Sequence, residues 1–147
     1  MKILILNGPN INLLGMRDKT QYGTKTLEEI NKELQEIAIE HNVVLEFYQS
    51  NHEGNLIDKI QELREKISGI LINPGALTHY GYSLRDALED YKLPIIEVHL
   101  SNIEEREKFR KIDVLAGIVK ELIVGLKEKS YAVGLEKLLE VLKSNEN

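Results

Sequence analysis

The chain has 147 residues, the length of one domain with a single ordinary core. Nineteen Lys and Arg against 24 Asp and Glu give a net charge of −5, which argues against the basic stripe that a nucleic-acid binder needs. No cysteine is present, so a disulfide framework, a thiolate nucleophile and a Cys-containing zinc site are excluded. The composition, 42% hydrophobic and 29% charged, is that of a soluble globular protein. No apolar run nears a membrane span, and Met-Lys runs directly into an apolar segment with no signal-peptide pattern. The expectation is a cytoplasmic protein whose partners include neither membrane nor nucleic acid.

Along the chain, short apolar runs alternate with amphipathic stretches. Lys2–Leu6 predicts a first strand. A long polar connection follows, and then Leu27, Ile30, Leu34, Ile37 and Ala38 repeat at helical spacing, opened by a capping box of Thr26 and Glu29. Val43–Tyr48 predicts the second strand. Leu56, Ile57, Ile60, Leu63 and Ile67 predict the next helix, and Gly69–Asn73 the third strand. Leu84, Ala87, Leu88 and Tyr91 form a shorter helix closed by Pro94, which leads into a fourth strand over Pro94–Val98. The four strand segments are almost wholly apolar, as strands buried on both faces of a parallel sheet are.

The last third is more ambiguous. Ile112, Val114, Leu115, Ile118, Val119, Leu122 and Ile123 carry a helical period, yet Glu121–Leu126 reads equally well as a fifth strand. Tyr131–Leu142 predicts a closing helix, and Ser144–Asn147 a polar tail. Such alternation implies right-handed crossovers and a doubly wound, five-stranded parallel sheet with helices on both faces. Ligands of such sheets bind beyond the carboxyl ends of the strands, at the topological switch point.

Polar and glycine residues collect at those ends. The first strand is followed by Asn7-Gly8-Pro9-Asn10-Ile11-Asn12-Leu13-Leu14-Gly15-Met16-Arg17 and then Tyr22-Gly23. This connection is about three times the usual strand-to-helix loop, a length typical of lids and binding loops. The third strand ends in Asn73-Pro74-Gly75-Ala76-Leu77-Thr78-His79, the fourth in Glu97-Val98-His99-Leu100-Ser101-Asn102. Neither GxGxxG, GxxxxGK[ST] nor HExxH occurs. A receiver-type phosphorylation site would want carboxylates where Asn7 and Asn10 stand.

Glu97 and His99, two apart in a strand, leave the same face. A carboxylate there fixes the imidazole tautomer and raises its pKa, which suits a general acid; a polar pair closing a strand has the same spacing. Arg17 and Tyr22 share the first loop. A phenol is a poor base at neutral pH, but a neighbouring guanidinium favours its phenolate; the alternative is a solvated arginine and a packed tyrosine. His79 is equally a turn-capping histidine, and His41 a solvated helix end. His52, His79 and His99 lack the spacing of a metal site, and Ser50 lacks a nucleophile elbow. The charged run Glu104–Lys111 reads as a solvated helix face, within which Arg106 and Arg110, four apart, share a side that can turn toward an anion.

The blocks Asn-Gly-Pro-Asn-x-Asn-Leu-Leu-Gly-x-Arg with Tyr-Gly, Gln-Ser-Asn-His-Glu-Gly, Asn-Pro-Gly-Ala-x-Thr-His, Leu-Arg-Asp-Ala-Leu, and Ile-Glu-Val-His-Leu-Ser-Asn-Ile-x-x-Arg-Glu-x-Phe-Arg together resemble type II 3-dehydroquinate dehydratases. The resemblance spans about residues 3–135. It implies a flavodoxin-like α/β subunit, one catalytic domain over 1–147 with a lid near 11–25, in a dodecamer of four trimers. It further implies the anti elimination of water from 3-dehydroquinate through an enolate, giving 3-dehydroshikimate, the third step of the shikimate pathway, with no cofactor and no metal. By position, Tyr22 looks like the base that removes the C2 proton, with Arg17 holding it as phenolate. Asn10 looks like the residue placing a water on the enolate. His99, oriented by Glu97, looks like the acid for the leaving C1 hydroxyl. Asn73, His79, Leu100, Ser101 and Arg110 look like substrate ligands, and Asp86 would arrive from a neighbouring subunit.

Some positions depart from the family pattern. Gly81 and Asp113 stand where serine is expected, Asp18-Lys19 replaces Glu-Pro in the lid, and Lys127, Lys129 and Ser130 occupy a glycine-rich stretch. A rival reading makes the chain a binding module holding FMN or another phosphorylated ligand. Asn7–Asn12 lacks the Ser, Thr and Gly cluster of a phosphate cradle, and no Trp is available to stack on a flavin.

Overall fold

In the computed structural model, which describes residues 1–146, five strands form one parallel sheet. They are β1 Lys2–Asn7, β2 Val44–Gln49, β3 Gly69–Asn73, β4 Ile95–His99 and β5 Glu121–Val124, in the order β2-β1-β3-β4-β5. The strand order reverses between β1 and β3, so the loops after these two strands face each other across the switch point.

Successive side chains of β1 leave opposite faces, and each face has its own core. Ile3 and Ile5 pack with Ile30, Leu34 and Ala38 of α2 (Leu27–Glu40) and Leu135, Leu138 and Leu139 of α5 (Lys129–Glu146). Leu4 and Leu6 pack with Leu56 and Ile60 of α3 (Glu53–Leu63) and Leu84, Leu88 and Tyr91 of α4 (Tyr82–Tyr91). All four β1 residues are wholly buried, which is why the strand carries no polar alternation.

Local signals set the helix ends. The Thr26 hydroxyl accepts from Glu29 N–H at 3.2 Å while the Glu29 carboxylate accepts from Thr26 N–H, the reciprocal box expected from the sequence. After α4 the chain turns at Lys92, with φ 61°, two residues before Pro94. The closing helix runs farther than its apolar pattern, so Ser144–Glu146 continue α5; Asn147 lies outside the described residues.

Two segments differ from their periodicity. Residues 112–120 form no α-helix despite their helical spacing. Gly117 breaks the segment at φ 89°, and the Asp113 side chain takes the Leu115 N–H at 2.8 Å, where a helix would need other partners. Leu115 is nonetheless buried with Leu88 and Tyr91, so the apolar residues serve as an irregular cover for that core. Glu121–Val124 then takes the strand alternative. The charged run is likewise two 3-10 turns, Ile103–Glu105 and Lys108–Lys111, rather than a helix face.

Candidate active site

β1 and β3 end in register at Asn7 and Asn73. Between them stands Tyr131 of α5, buried to 1% exposure. Its hydroxyl accepts from Asn73 Nδ2 at 2.9 Å and donates to Asn7 Oδ1 at 2.5 Å. Burial holds this phenol above its ordinary pKa, so it remains the neutral donor these bonds require. Asn73 Oδ1 also accepts from Gly75 N–H at 3.1 Å, starting the turn that carries His79.

The two loops beyond these strands nearly touch. A Cβ on Gly8 would lie 2.4 Å from the Pro74 carbonyl oxygen, and one on Gly75, at φ 60°, would lie 2.8 Å from the Pro9 carbonyl oxygen. Only glycine permits that approach. Asn10 takes the left-handed conformation, φ 69°, that asparagine tolerates, and its N–H donates to Asn51 Oδ1 at 3.0 Å.

Behind this contact lies a cavity at the carboxyl ends of β1, β3 and β4. The first loop gives it Asn10, Arg17 and Tyr22, the third strand's loop Asn73 and His79, and the end of β4 gives His99, Leu100 and Ser101; Arg110 lies at its side. Nine of the eleven residues singled out from the sequence therefore converge on one cavity. Glu97 stands behind His99, wholly buried. Asp86 is exposed on α4 and does not line this chain's cavity. His52 and His41 are exposed, and among the described residues no group of three or more His, Cys, Asp or Glu is placed to hold a metal.

Tyr22 is carried on a single helical turn, α1 (Lys19–Tyr22), capped by Asp18. Its phenol oxygen accepts from Arg17 Nη2 at 2.9 Å and from Arg106 Nη1 at 2.6 Å. Arg17 also lies over the ring, 3.8 Å from its centre. Two charge-assisted hydrogen bonds on one oxygen stabilise negative charge there. Arg106 also reaches Ser101 Oγ at 3.3 Å; the sequence reading had it, with Arg110, as a side of the charged run able to turn toward an anion, and missed its contact with Tyr22. Its signals were that spacing and the first Arg of Ile-x-x-Arg-Glu-x-Phe-Arg.

His99 Nε2 lies 2.7 Å from Glu97 Oε1, and Nδ1 makes no hydrogen bond among the described residues. Burial pushes the imidazole down to about 4 and the Glu97 carboxyl up. Desolvation outweighs the carboxylate's pull, contrary to the sequence expectation, because burial disfavours both charges. The two groups thus act as a pair with one proton held along the Nε2–Oε1 axis. His79 Nδ1 lies 2.6 Å from the Ile112 carbonyl, which only accepts, so Nδ1 carries the hydrogen. Partial burial lowers its pKa and keeps the ring neutral near pH 7. Arg110 Nε pairs with Glu107. Arg17, Arg106 and Arg110 thus line a cavity without an acidic side chain, a surface suited to a small anion.

Fold and cavity together define a flavodoxin-like α/β enzyme whose site pairs a cation-held phenol oxygen with a buried Glu–His couple. The sequence pattern of the family described as dehydroquinase class II matches residues 1–139. The chain belongs to that family. It is 50% identical to the 3-dehydroquinate dehydratase of Prochlorococcus marinus subsp. pastoris over 145 residues, covering 99% of each chain. With the 3-dehydroquinate dehydratase of Halothermothrix orenii it shares 46% identity over 142 residues, 97% of this chain and 96% of the other. The crystal structure of type II dehydroquinase from Butyrivibrio crossotus superposes with a TM-score of 0.91 at 47% identity, covering 95% of this chain and 97% of that one.

Proposed function

We propose that this chain is a type II 3-dehydroquinate dehydratase, converting 3-dehydroquinate to 3-dehydroshikimate in the shikimate pathway. The observation that carries the reading is the convergence of Arg17 and Arg106 on the Tyr22 oxygen in the cavity that His99 also lines. Removing a proton beside a ketone needs a base, a means of stabilising the enolate and an acid for the departing hydroxyl.

In this reading Tyr22, held as phenolate by the two guanidinium groups, takes the C2 proton. Asn10 places a water on the enolate oxygen. His99, backed by Glu97, gives a proton to the C1 hydroxyl, which leaves as water. Arg110 and His79, with Asn73, Leu100 and Ser101, hold the carboxylate and hydroxyls of the substrate. The segment 11–25 is the lid over a single catalytic domain. Asp86, exposed on α4, reaches the cavity of a neighbouring subunit in a dodecamer of four trimers. Among the described residues no helix is long and apolar enough to cross a membrane; the place of the enzyme in this reading is the cytoplasm.

The test is to add 3-dehydroquinate to the purified protein and follow the ultraviolet absorbance of the conjugated enone, with and without borohydride. Product formation indifferent to borohydride is expected, since no imine forms. Absence of product from intact, oligomeric protein would refute the reading.

A further inference from the structure

A second acid, besides Glu97, lies behind the site without touching the cavity. Asp113 is half-buried in the irregular segment before β5. Its Oδ1 accepts from Leu115 N–H at 2.8 Å and lies 2.9 Å from the hydroxyl oxygen of Thr78. Thr78, wholly buried, also contacts Glu97 Oε1 through that hydroxyl, and Glu97 Oε1 lies 2.7 Å from His99 Nε2. An unbroken chain of contacts therefore runs from His99 through Glu97 and Thr78 to Asp113. The other carboxylate oxygen of Glu97 is buried with no donor among the described residues, and the Asp113 carboxyl also stands close enough to Glu97 to share a hydrogen with it directly.

Hydrogen counting decides what this chain requires. A threonine hydroxyl has one hydrogen, yet the Thr78 oxygen faces a carboxyl oxygen on either side. With both carboxyls ionised, one of the two contacts contains no hydrogen. A proton on Asp113 resolves this: Asp113 donates to Thr78, and Thr78 is free to donate to Glu97. Burial first, and then the neighbouring Glu97 charge, raise the Asp113 carboxyl to about 6. Ionised Asp113 in turn favours the proton on His99 against the effect of burial.

We propose that Asp113 is a positioning residue for the acid half of the reaction: through the Thr78 hydroxyl it fixes where Glu97 holds charge and hydrogen, and so how firmly His99 keeps the proton it delivers. This rests on the dehydratase reading. The groups around Asp113 are Thr78 and His79 from the turn after β3, and Glu97 and His99 from β4; Arg110 of the preceding turn acts on His79. Arg85 of α4 is occupied by the carbonyls of Val114 and Ala116 at 2.6 and 3.1 Å. Asp113 occupies a position where the resemblance leads one to expect serine. A serine would keep a hydrogen-bonding group beside Thr78 and lose the charge.

The experiment compares the full-length protein with Asp113→Asn and Asp113→Ser. The His99 ring is titrated by NMR without substrate, its signals assigned by their absence from His99→Ala, and kcat and KM are measured against pH. Because Asp113 ionises only near pH 6, the His99 ring signals of the natural protein are expected to shift as pH passes that value, and both variants should lose this shift. The kcat profile should lose the same inflection, while KM changes less than twofold. A His99 response near pH 6 that persists in both variants overturns the proposal, as does a kcat lowered equally at every pH. Should Asp113→Asn fail to fold, Asp113→Ser carries the comparison. If no form turns over 3-dehydroquinate, the dehydratase reading fails by itself, and the His99 titration still decides the role of Asp113.

Discussion

Arg106 and Tyr22, 84 residues apart in the chain, meet at 2.6 Å between guanidinium and phenol oxygen. With Arg17 on the same oxygen, the segment that follows β1 is tied at the Tyr22 phenol to the turn after β4. Tyr22→Phe is expected to lower kcat about 10²–10⁴-fold, and Arg106→Ala about 10²–10³-fold. Arg106→Lys should not fully restore the rate, since the shorter stem and more strongly hydrated ammonium do not place a donor where Nη1 meets both Tyr22 and Ser101. Steady-state kinetics check this, and a near-wild-type kcat in Arg106→Ala would remove Arg106 from the machinery.

The hydroxyl of Tyr131 joins β1 to β3 inside the protein. Tyr131→Phe leaves the buried amides of Asn7 and Asn73 each short of a partner, a loss of about 1–3 kcal/mol. For a domain of this size that is a fall in Tm of roughly 3–10 °C. Calorimetry measures it, and an unchanged Tm would show that the two amides re-pair.

Gly8→Ala puts a methyl group against the Pro74 backbone. The strand-end loops must then part, with a cost of about 1–3 kcal/mol and a fall in kcat, because Asn10 and Asn73 ride on those loops. Urea denaturation and kinetics on the same preparation should show both losses together.

The Asp113–His99 couple predicts how stability follows pH. Asp113 rises from 3.8 to about 6 on folding, so across that window the folded state binds more protons and this group's contribution to stability falls as pH rises. His99 drops from 6.5 to about 4; there the unfolded state binds more protons, and its contribution grows as pH rises. The two slopes oppose. Asp113→Asn removes one opposing slope, so its stability should climb between pH 4 and 6.5 more steeply than that of the natural protein. Denaturation midpoints at several pH values test the sign.

Asp86, remote from its own chain's cavity, gives a test of assembly. Tyr22→Phe and Asp86→Ala, each impaired alone, should regain part of the activity when unfolded together and reassembled, because some mixed sites then contain both natural residues. Size-exclusion chromatography of the mixture establishes that hybrids form. Hybrids with no recovery would place Asp86 outside the site.

Much of this protein was legible in its sequence. Period-two burial makes β1 apolar throughout, and the Thr26–Glu29 box marks the start of α2, because both are decided by neighbours within a few residues. The glycines and asparagines at the strand ends located the cavity by the same kind of local rule. Residues 112–120 resisted such reading: their helical period was real, but Gly117 and the Asp113 side chain broke the helix while the core still claimed Leu115. Only the tertiary structure placed Arg106 on Tyr22, set Tyr131 between Asn7 and Asn73, and gave Asp113 its line through Thr78 to His99. Those contacts join residues far apart in the chain, and their energies depend on burial. The same burial turned His99 from a group whose proton affinity a carboxylate should raise into one that desolvation lowers, and burial is a property of the packed molecule that no local run of residues carries.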